Sequence, residues 1–317
     1  MDKNLLARIG GAIETGAKKS ISTVWFLLKI MVPTSLAVAL LGWSGILQVI
    51  AGFLSPLMRL IGLPGQAALV FILGALLNNY SAIAVMGSLA LSLRDATILA
   101  LMSLIAHNLI IETAVMKSAG SSAIKMLLLR VGTAIVGAFI LNLLLPQSMA
   151  GTVFSPGIIS EKTAFFVMLG NWGFSTLGLV AKIIMYVLII MMTQSLFNEF
   201  KLIDVLSKLL APFMRIFGLP AEASFLWIII NIVGYAYGAG IIKAEYESGK
   251  MKKRDGDLFN HHAAISHSLL EDTILYSGIG ISVFWLMVPR ILLAIAIVWI
   301  ERFRRNHFKK SFRVGTV

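Results

Sequence analysis

Cysteine is absent from this 317-residue sequence, and charged residues make up only 13% of it. The lack of cysteine excludes disulfides, thiolate metal ligands and cysteine nucleophiles. Soluble domains carry about 25% charged residues, whereas here hydrophobic residues reach 58%. Because so little polar surface cannot cover a globule of this size, the composition excludes an ordinary soluble protein.

Acidic residues are also scarce, with 15 Asp and Glu against 27 Lys and Arg and a net charge of +12. The basic residues lie at the chain ends and in short segments between apolar stretches of membrane-spanning length. This pattern is typical of a polytopic membrane protein with basic cytoplasmic loops, and a nucleic-acid-binding domain would instead carry a basic stripe. We therefore expect membrane lipids and no nucleic acid among the partners.

The sequence contains an internal repeat. LSPLMRLIGLPG at 54–65 matches LAPFMRIFGLPA at 210–221 at seven of twelve positions, and IAHNLIIET at 105–113 matches ISHSLLEDT at 265–273. The offset grows from 156 to 160 between the two pairs, so four extra residues lie between them, where the second half has the hydrophilic run 243–257. The chain is therefore a tandem duplication with a lengthened loop.

A long apolar segment in each half determines the predicted topology. Residues 65–93 would form a helix of about 43 Å against a hydrocarbon core of about 30 Å. A break at Asn78, Asn79, Tyr80 and Ser81 gives two arms of about 20 Å and predicts a re-entrant hairpin. The second half has Gly234, Tyr235 and Tyr237 at the middle of the equivalent segment, and glycine there indicates a weak helix or a close backbone approach.

These features predict an all-α polytopic membrane protein made of two inverted-topology repeats. Each repeat has about three spanning helices, an amphipathic helix and a re-entrant hairpin, and the odd number of crossings inverts the second repeat. The expected boundaries are an N-terminal interfacial helix at 1–21 with no signal peptide, gate repeat 1 at 22–146, a connector with an interfacial helix at 147–176, gate repeat 2 at 177–300 and a basic cytoplasmic tail at 301–317.

Charge tests this topology independently. With both termini inside, 20 Lys and Arg fall on the cytoplasmic side and three fall outside, which satisfies the positive-inside rule. We therefore expect an integral plasma (inner) membrane protein with both termini and residues 243–257 in the cytoplasm, and residues 146–162 outside.

Polar residues recur at matching positions inside the apolar segments. Ionisable groups in lipid are costly and usually face a cavity or one another, and residues spaced i,i+4 share a helix face. The predicted substrate-binding residues are Asn78, Asn79, Tyr80, Ser81, His107, Asn108, Glu112, Thr113, Gly234, Tyr235, Tyr237, His267, Ser268, Glu271, Asp272 and Thr273.

Two interpretations of the paired carboxylates stay open. In the functional one, Glu112, Asp272 and the two histidines bind a polar solute or a coupling cation. In the structural one, Glu112 pairs with Arg130 and Asp272 pairs with Arg290 between adjacent helices.

A metal site is a further alternative, for which His261, His267, Glu271 and Asp272 are the best candidate ligands. His267 and Glu271 are spaced i,i+4, so that one metal could accept both. The G-x-S-x-G, H-E-x-x-H and P-loop motifs are missing, so we expect no enzyme activity and no cofactor. Without an ATP site, any transport would be gradient-driven or passive.

The repeated unit resembles the gate domain called the nucleoside-recognition domain. The resemblance rests on L-x-P-x-M-R-x-x-G-L-P at 54–64 and 210–220, on the hairpin that follows, and on residues 107–113 and 267–273. It covers two copies, at about 22–146 and 177–300. That domain is similar to part of concentrative nucleoside transporters, ferrous-iron transporters and spore-maturation membrane proteins. The chain lacks the additional helices of the first group and the G-domain and gate cysteines of the second.

The resemblance implies transport of a small polar solute, nucleoside-like or otherwise, with coupling to protons or another cation. The alternatives are a non-transporting membrane scaffold that acts in a complex and a divalent metal transporter. The sequence leaves the substrate and the oligomeric state open, a homo-oligomer included.

Overall fold

The computed structural model describes residues 3–89, 91–147, 149, 151, 164–232, 234–235 and 251–314. These residues form helices joined by short connections, with no β-strand among them, so the all-helical class predicted from the sequence is confirmed. The helices are α1 (Lys3–Trp43), α2 (Ile46–Arg59), α3 (Ala67–Leu76), α4 (Asn79–Ser88), α5 (Leu93–Ala106), α6 (Leu109–Ser118), α7 (Ala123–Leu144), α8 (Phe165–Glu199), α9 (Leu202–Leu210), a 3-10 turn (Ala211–Arg215), α10 (Ala223–Ile232), α11 (Lys253–Ala263), α12 (Leu269–Ser277) and α13 (Val283–Val314).

Four segments of the described chain are long and apolar enough to cross a membrane: 93–118, 123–144, 165–199 and 283–307. A fifth is gained if 31–43 and 48–59, which meet at 98°, count as one span. The sequence predicted six crossings. One segment that accounts for the difference is 253–277 in the second half. Its helix α11 carries four charged residues and two histidines, so it lacks the hydropathy of its counterpart α5. The inverted arrangement of the repeats stays a prediction.

The chain folds into two compact units that exchange segments between its two halves. Unit 1 contains residues 1–109, 134–200 and 272–286, and unit 2 contains residues 110–133, 201–271 and 287–317. Residues 110–133 come from the first half of the chain but belong to unit 2, and residues 272–286 come from the second half but belong to unit 1. Glu112, from the first half, therefore lies in unit 2, and Asp272, from the second half, lies in unit 1.

Unit 1 is organised around the pairing of α1 with α8. Gly16 makes this pairing close, since a Cβ at that position would lie 2.6 Å from the Cα of Met192. Arg8 and Glu199 form an ion pair at 2.7 Å near the ends of the two helices. The contact of α1 with α8 thus begins within the first turns of α1.

Both of these helices differ from the predicted boundaries. We predicted separate interfacial helices at 1–21 and within 147–176, but α1 and α8 run without a break through residue 22 and through residue 176. Residues 3–21 are therefore continuous with the rest of α1 and do not form a separate helix. The boundary predicted near residue 21 coincides with a change in polarity and not with a helix end, because a helix can leave the hydrocarbon region without ending.

The predicted hairpin of the first half corresponds to α3 and α4, which pack against each other and against α5 and α1, respectively. Each has ten residues, or about 15 Å, which is too short to cross a bilayer. The chain breaks at Leu77 and Asn78, where Asn78 is fully extended. In unit 2 the first arm of the equivalent segment is α10, and residues 236–250 lie outside the described part of the chain.

The repeated Gly-Leu-Pro motif ends the amphipathic segments α2 and α9 with its 3-10 turn. Gly62 and Gly218 have φ of 74° and 70°, a conformation that favours glycine. The amides of Leu63 and Leu219 then donate to the carbonyls of Met58 and Met214, which is the Schellman pattern at a helix end. These caps lead the chain into α3 and α10, as the sequence predicted.

Candidate functional site

Unit 1 contains a buried polar cluster around Asp272. Its Oδ1 accepts a hydrogen bond from Asn79 Nδ2 at 3.0 Å, and Tyr276 Oη donates to Asn79 Oδ1 at 3.3 Å. The Oδ2 of Asp272 lies 3.9 Å from His107 Nε2, which is beyond hydrogen-bond distance, and it has no hydrogen-bond partner. All four residues are less than 10% exposed.

The break between α3 and α4 places Asn79 in this cluster. Asn78 caps α4, because its Oδ1 accepts from the amide of Ser81 at 2.9 Å and from the Ser81 hydroxyl at 3.2 Å. Asn79 is then the first residue of α4, so its contact with Asp272 places that carboxylate near the N-terminal end of the helix, where an anion is favoured. Asn78 and Ser81 therefore have a local structural role, whereas Asn79 presents its side chain to the carboxylate.

His107 is positioned by a second break, between α5 and α6. Its Nδ1 lies 3.0 Å from the carbonyl of Ser103. Asn108 follows with φ of 48°, and its amide donates to the carbonyl of Gly74 at 3.1 Å. Because a carbonyl can only accept, Nδ1 carries the proton and Nε2 faces Asp272.

Unit 2 contains the matching cluster around Glu112. Arg130 Nη2 lies 2.7 Å from Glu112 Oε2, and His267 Nε2 lies 3.2 Å from the same oxygen. His267 Nδ1 lies 2.7 Å from the carbonyl of Ala263, four residues before it. His107 Nδ1 makes the equivalent contact with the carbonyl of Ser103. Arg130 and His267 are fully buried, so this is a charge pair removed from solvent.

The break between α11 and α12 repeats the one between α5 and α6. Ser268 has φ of 50°, and its amide donates to the carbonyl of Ile230 at 2.9 Å. Arg290, which is fully buried, donates to the carbonyls of Ile265 and His267 in this break. Arg290 thus satisfies backbone groups that the interrupted helix exposes.

The two carboxylates therefore differ in electrostatic environment. Glu112 is paired with Arg130, as the structural interpretation predicted. The contacts of Asp272 are instead with Asn79 and His107, and no lysine or arginine pairs with it among the residues described in unit 1. The equivalence of the two positions in sequence does not extend to their neighbours.

Several polar residues of the sites were not predicted. Asn260 accepts from Tyr235 Oη at 2.8 Å and donates to Ser121 Oγ at 2.9 Å. Asn231 accepts from the amide of Leu269 at 3.2 Å. Tyr276 could have been found, since it is spaced i,i+4 from Asp272, but Asn260 and Asn231 have no counterpart of the same type in the first half.

The other predicted site residues take varied positions. Tyr235 is buried, with its ring centroid 5.7 Å from that of His267, and Gly234 beside it has φ of 98°. The hydroxyls of Thr113 and Thr273 are buried without a hydrogen-bond partner. Tyr80 and Ser268 are buried and Glu271 is half-buried, while Tyr237 lies outside the described residues.

The proposed metal ligands have separate surroundings. His267 lies beside Glu112 and Asp272 beside Asn79, whereas the donor atoms of His261 lie within 4.8 Å of those of Asp257 and Glu301.

This last group is already neutralised by basic side chains. The Glu301 carboxylate accepts hydrogen bonds from Lys125 at 2.9 Å, Arg304 at 2.8 Å and Arg305 at 2.6 Å. Arg305 also forms an ion pair with Asp257. His261 lies on α11, which is not among the candidate spans, and burial lowers the pKa of its imidazole although the Asp257 carbonyl opposes the shift. The arrangement is an ion-pair network that joins α7, α11 and α13.

Comparisons with known proteins agree with the membrane architecture. The family model for the Gate domain, described as nucleoside recognition, matches residues 24–123. The chain is also similar to the uncharacterized membrane protein YvoD of Bacillus subtilis (strain 168), with 31% identity over 288 residues that cover 88% of this chain and 90% of the relative. No solved structure matches.

Proposed function

Because the chain belongs to the family of membrane proteins that carry the Gate, or nucleoside-recognition, domain, we propose that it is a secondary transporter or permease. Its substrate is a small polar solute, with nucleosides and their bases as the first class to test. Transport is coupled to a proton or another cation through Asp272. The family match and the membrane relative point to transport and not to catalysis.

The observation that carries this proposal is the environment of Asp272, a carboxylate only 5% exposed that no lysine or arginine pairs with among the described residues of its unit. Burying an ion costs several kcal/mol even after the protein relaxes. A helix N-terminus returns up to about 2 kcal/mol, and a hydrogen bond to a charged group returns about 1.5–3 kcal/mol. The first residue of α4 and the Asn79 amide offset this cost with neutral groups, so no lysine or arginine among the described residues of unit 1 competes with a proton or cation for Asp272.

His107 makes a proton a suitable coupling ion. The proton on its Nδ1 is hydrogen-bonded to the Ser103 carbonyl. A proton that enters the cluster is therefore bound either by His107 Nε2 or by Asp272 Oδ2, and these two atoms lie 3.9 Å apart. Binding at Oδ2 neutralises the carboxylate and weakens its charge-assisted bond to Asn79. Asn79 is the first residue of α4, so a proton or cation bound to Asp272 weakens the contact between Asp272 and the hairpin formed by α3 and α4.

Transport by the full-length protein in liposomes tests the proposal. Uptake of labelled nucleosides and bases under an imposed pH or sodium gradient is expected for the native chain, and Asp272→Asn should reduce it to the background of empty liposomes. Asp204→Asn is the matched control, because Asp204 is an exposed aspartate on α9 and its loss should leave uptake unchanged. Gradient-driven uptake by Asp272→Asn at the native rate would refute the coupling role.

The Glu112–Arg130 ion pair favours a second candidate, a non-transporting scaffold that acts in a complex, because a compensated buried pair needs no ligand. Ligand-dependent melting in detergent separates the two candidates. A nucleoside, base or divalent metal present at about 100 times its dissociation constant should add about 2.7 kcal/mol of stability. A response to a divalent metal alone would favour metal transport, and no response to any of these compounds would favour the scaffold.

A further inference from the structure

Unit 2 contains a cavity of about 570 Å³ whose lining is strongly basic. This volume lies within the range of about 300–1,000 Å³ typical of small-molecule sites. Five cations and one anion line it, for a formal charge of +4: Arg215, Lys252, Arg254, Arg302, Arg305 and Asp255. Like charges around one cavity repel each other, so an anion bound there lowers the free energy of the folded unit.

Two of the cations are held in place by neighbouring groups. Arg302 Nη1 donates to the carbonyl of Gly218 at 2.8 Å, and its guanidinium lies 5.2 Å from the centroid of the Trp299 ring. Arg305 is fixed by Glu301 at 2.6 Å and by Asp257. These arginines form a rigid wall whose side chains lose little conformational entropy when a ligand binds.

The other side of the cavity carries cations that have no acidic partner among the described residues. Arg215, at the end of the 3-10 turn, and Lys252, just before α11, are exposed and form no hydrogen bond or ion pair with side chains in the described part of the chain. Arg254, also exposed, donates from Nη2 to Asn306 Oδ1 over a long 3.4 Å. Three cations can therefore turn toward an anion without breaking a strong contact.

Trp299 indicates the level of this cavity relative to the membrane. It lies near the end of the candidate span 283–307, is 48% exposed, and donates its indole N–H to the carbonyl of Ile216 at 2.9 Å. Tryptophan is enriched where the hydrocarbon region meets the headgroups. We therefore expect the cavity at the level of the lipid phosphate groups.

We propose that this cavity binds a phosphate group. Guanidinium groups bind phosphate oxygens with paired, charge-assisted hydrogen bonds, and the lysine adds a mobile point charge. The phosphate comes either from an anionic lipid headgroup, which basic pockets at the cytoplasmic end of a membrane protein bind, or from a soluble phosphate compound. Binding here is independent of transport through Asp272, which belongs to unit 1.

The test uses the purified full-length chain in a neutral detergent. Its melting temperature is measured with phosphatidylglycerol, with zwitterionic phosphatidylcholine, and with inorganic phosphate against chloride at equal ionic strength. We expect stabilisation by phosphatidylglycerol that exceeds that of phosphatidylcholine. Removing a cation near an anionic surface should weaken the apparent affinity about fivefold, so Lys252→Ala and Arg215→Ala together should weaken it roughly 25-fold.

Lys253→Ala is the matched control, because Lys253 is the adjacent exposed lysine and is not part of the lining. Its apparent affinity should stay near that of the native chain. Since Arg215 and Lys252 are exposed and their removal relieves repulsion around the cavity, the double variant should melt at or above the native temperature without ligand, which shows that it folds.

The outcomes separate the two sources of phosphate and the failure of the proposal. A response to phosphatidylglycerol alone that is lost in the double variant supports a lipid site. An equal response to inorganic phosphate, lost in the same variant, supports a soluble phosphate compound. Equal effects of phosphatidylglycerol and phosphatidylcholine with none from phosphate, or equal weakening by Lys253→Ala and Lys252→Ala, would overturn the proposal.

Discussion

Glu112 and Asp272 occupy equivalent sequence positions but have neighbours of different charge. Glu112 has Arg130 at 2.7 Å, whereas the contacts of Asp272 are an amide and an imidazole. A carboxylate paired with a buried guanidinium contributes to stability mainly because its removal would strand the partner charge. A buried carboxylate without such a partner is suited to bind and release a cation.

Replacing Glu112 should therefore reduce stability and not merely transport. Glu112→Gln leaves Arg130 buried without its anion, and we expect a loss of about 3–5 kcal/mol in the free energy of unfolding. Adding Arg130→Gln should recover much of that loss. The measurement is a double-mutant cycle from melting in detergent.

Asp272→Asn serves as the comparison for that cycle. It keeps the shape of the side chain and removes a charge that lacks a lysine or arginine partner among the described residues of unit 1, so its melting temperature should be at or above the native value. An additive Glu112/Arg130 cycle, with no rescue, would contradict the structural role of the ion pair.

Tyr276→Phe tests whether the hydrogen bond to Asn79 holds the hairpin at Asp272. The variant removes only the hydroxyl that donates to Asn79 Oδ1, and loss of one such bond costs about 0.5–1.5 kcal/mol. We expect a small loss of stability and a change in the pH profile of uptake. Tyr186→Phe is the control, because Tyr186 Oη donates to the carbonyl of Gly278 and not to the cluster. Equal pH profiles for both variants would argue against this role.

At the level of elements, the close approach of α1 and α8 depends on Gly16. A Cβ there would lie 2.6 Å from Met192 Cα and 2.7 Å from the Met191 carbonyl oxygen, and backbone atoms cannot move aside as a side chain can. Gly16→Ala should therefore cost about 1–3 kcal/mol, measured as a lower melting temperature.

Gly10→Ala is the matched control within the same helix. A Cβ at Gly10 would have no atom within 4 Å, and alanine is favoured over glycine in a helix by up to about 1 kcal/mol. We expect this variant to melt at or above the native temperature. Equal destabilisation by both changes would mean that Gly16 acts through backbone flexibility and not through helix packing.

The elements differ in how much of them the sequence could predict. The break before α4 was predictable because four polar residues interrupt an apolar run, and the end of α2 was predictable because a left-handed turn requires a residue such as Gly62. The continuity of α1 was not predictable, because the apolar stretch starts only after Lys18 and Lys19 although the helix runs through them. The contact of Asp272 with Asn79 was not predictable either. Periodicity identifies neighbours on one helix, whereas Asn79 lies 193 residues away in the sequence.

For the whole molecule, the predicted orientation can be tested with single cysteines, since the chain has none of its own. We expect Gln147→Cys to react with an impermeant thiol reagent in intact cells and Lys253→Cys to react only after the membrane is opened. Both residues are exposed, so a difference reports sidedness and not burial. Labelling of Lys253→Cys in intact cells would contradict the cytoplasmic placement of the termini and of residues 243–257.

The exchange of residues 110–133 and 272–286 between the units also sets an order for biosynthesis. At about 5–20 residues per second, the ribosome needs about 10–40 s to add the 193 residues that separate Asn79 from Asp272. During that time Asn79 and His107 have left the ribosome but their carboxylate has not been made. The nascent first half therefore waits in the membrane with an incomplete polar cluster, and its final packing follows the insertion of the second half.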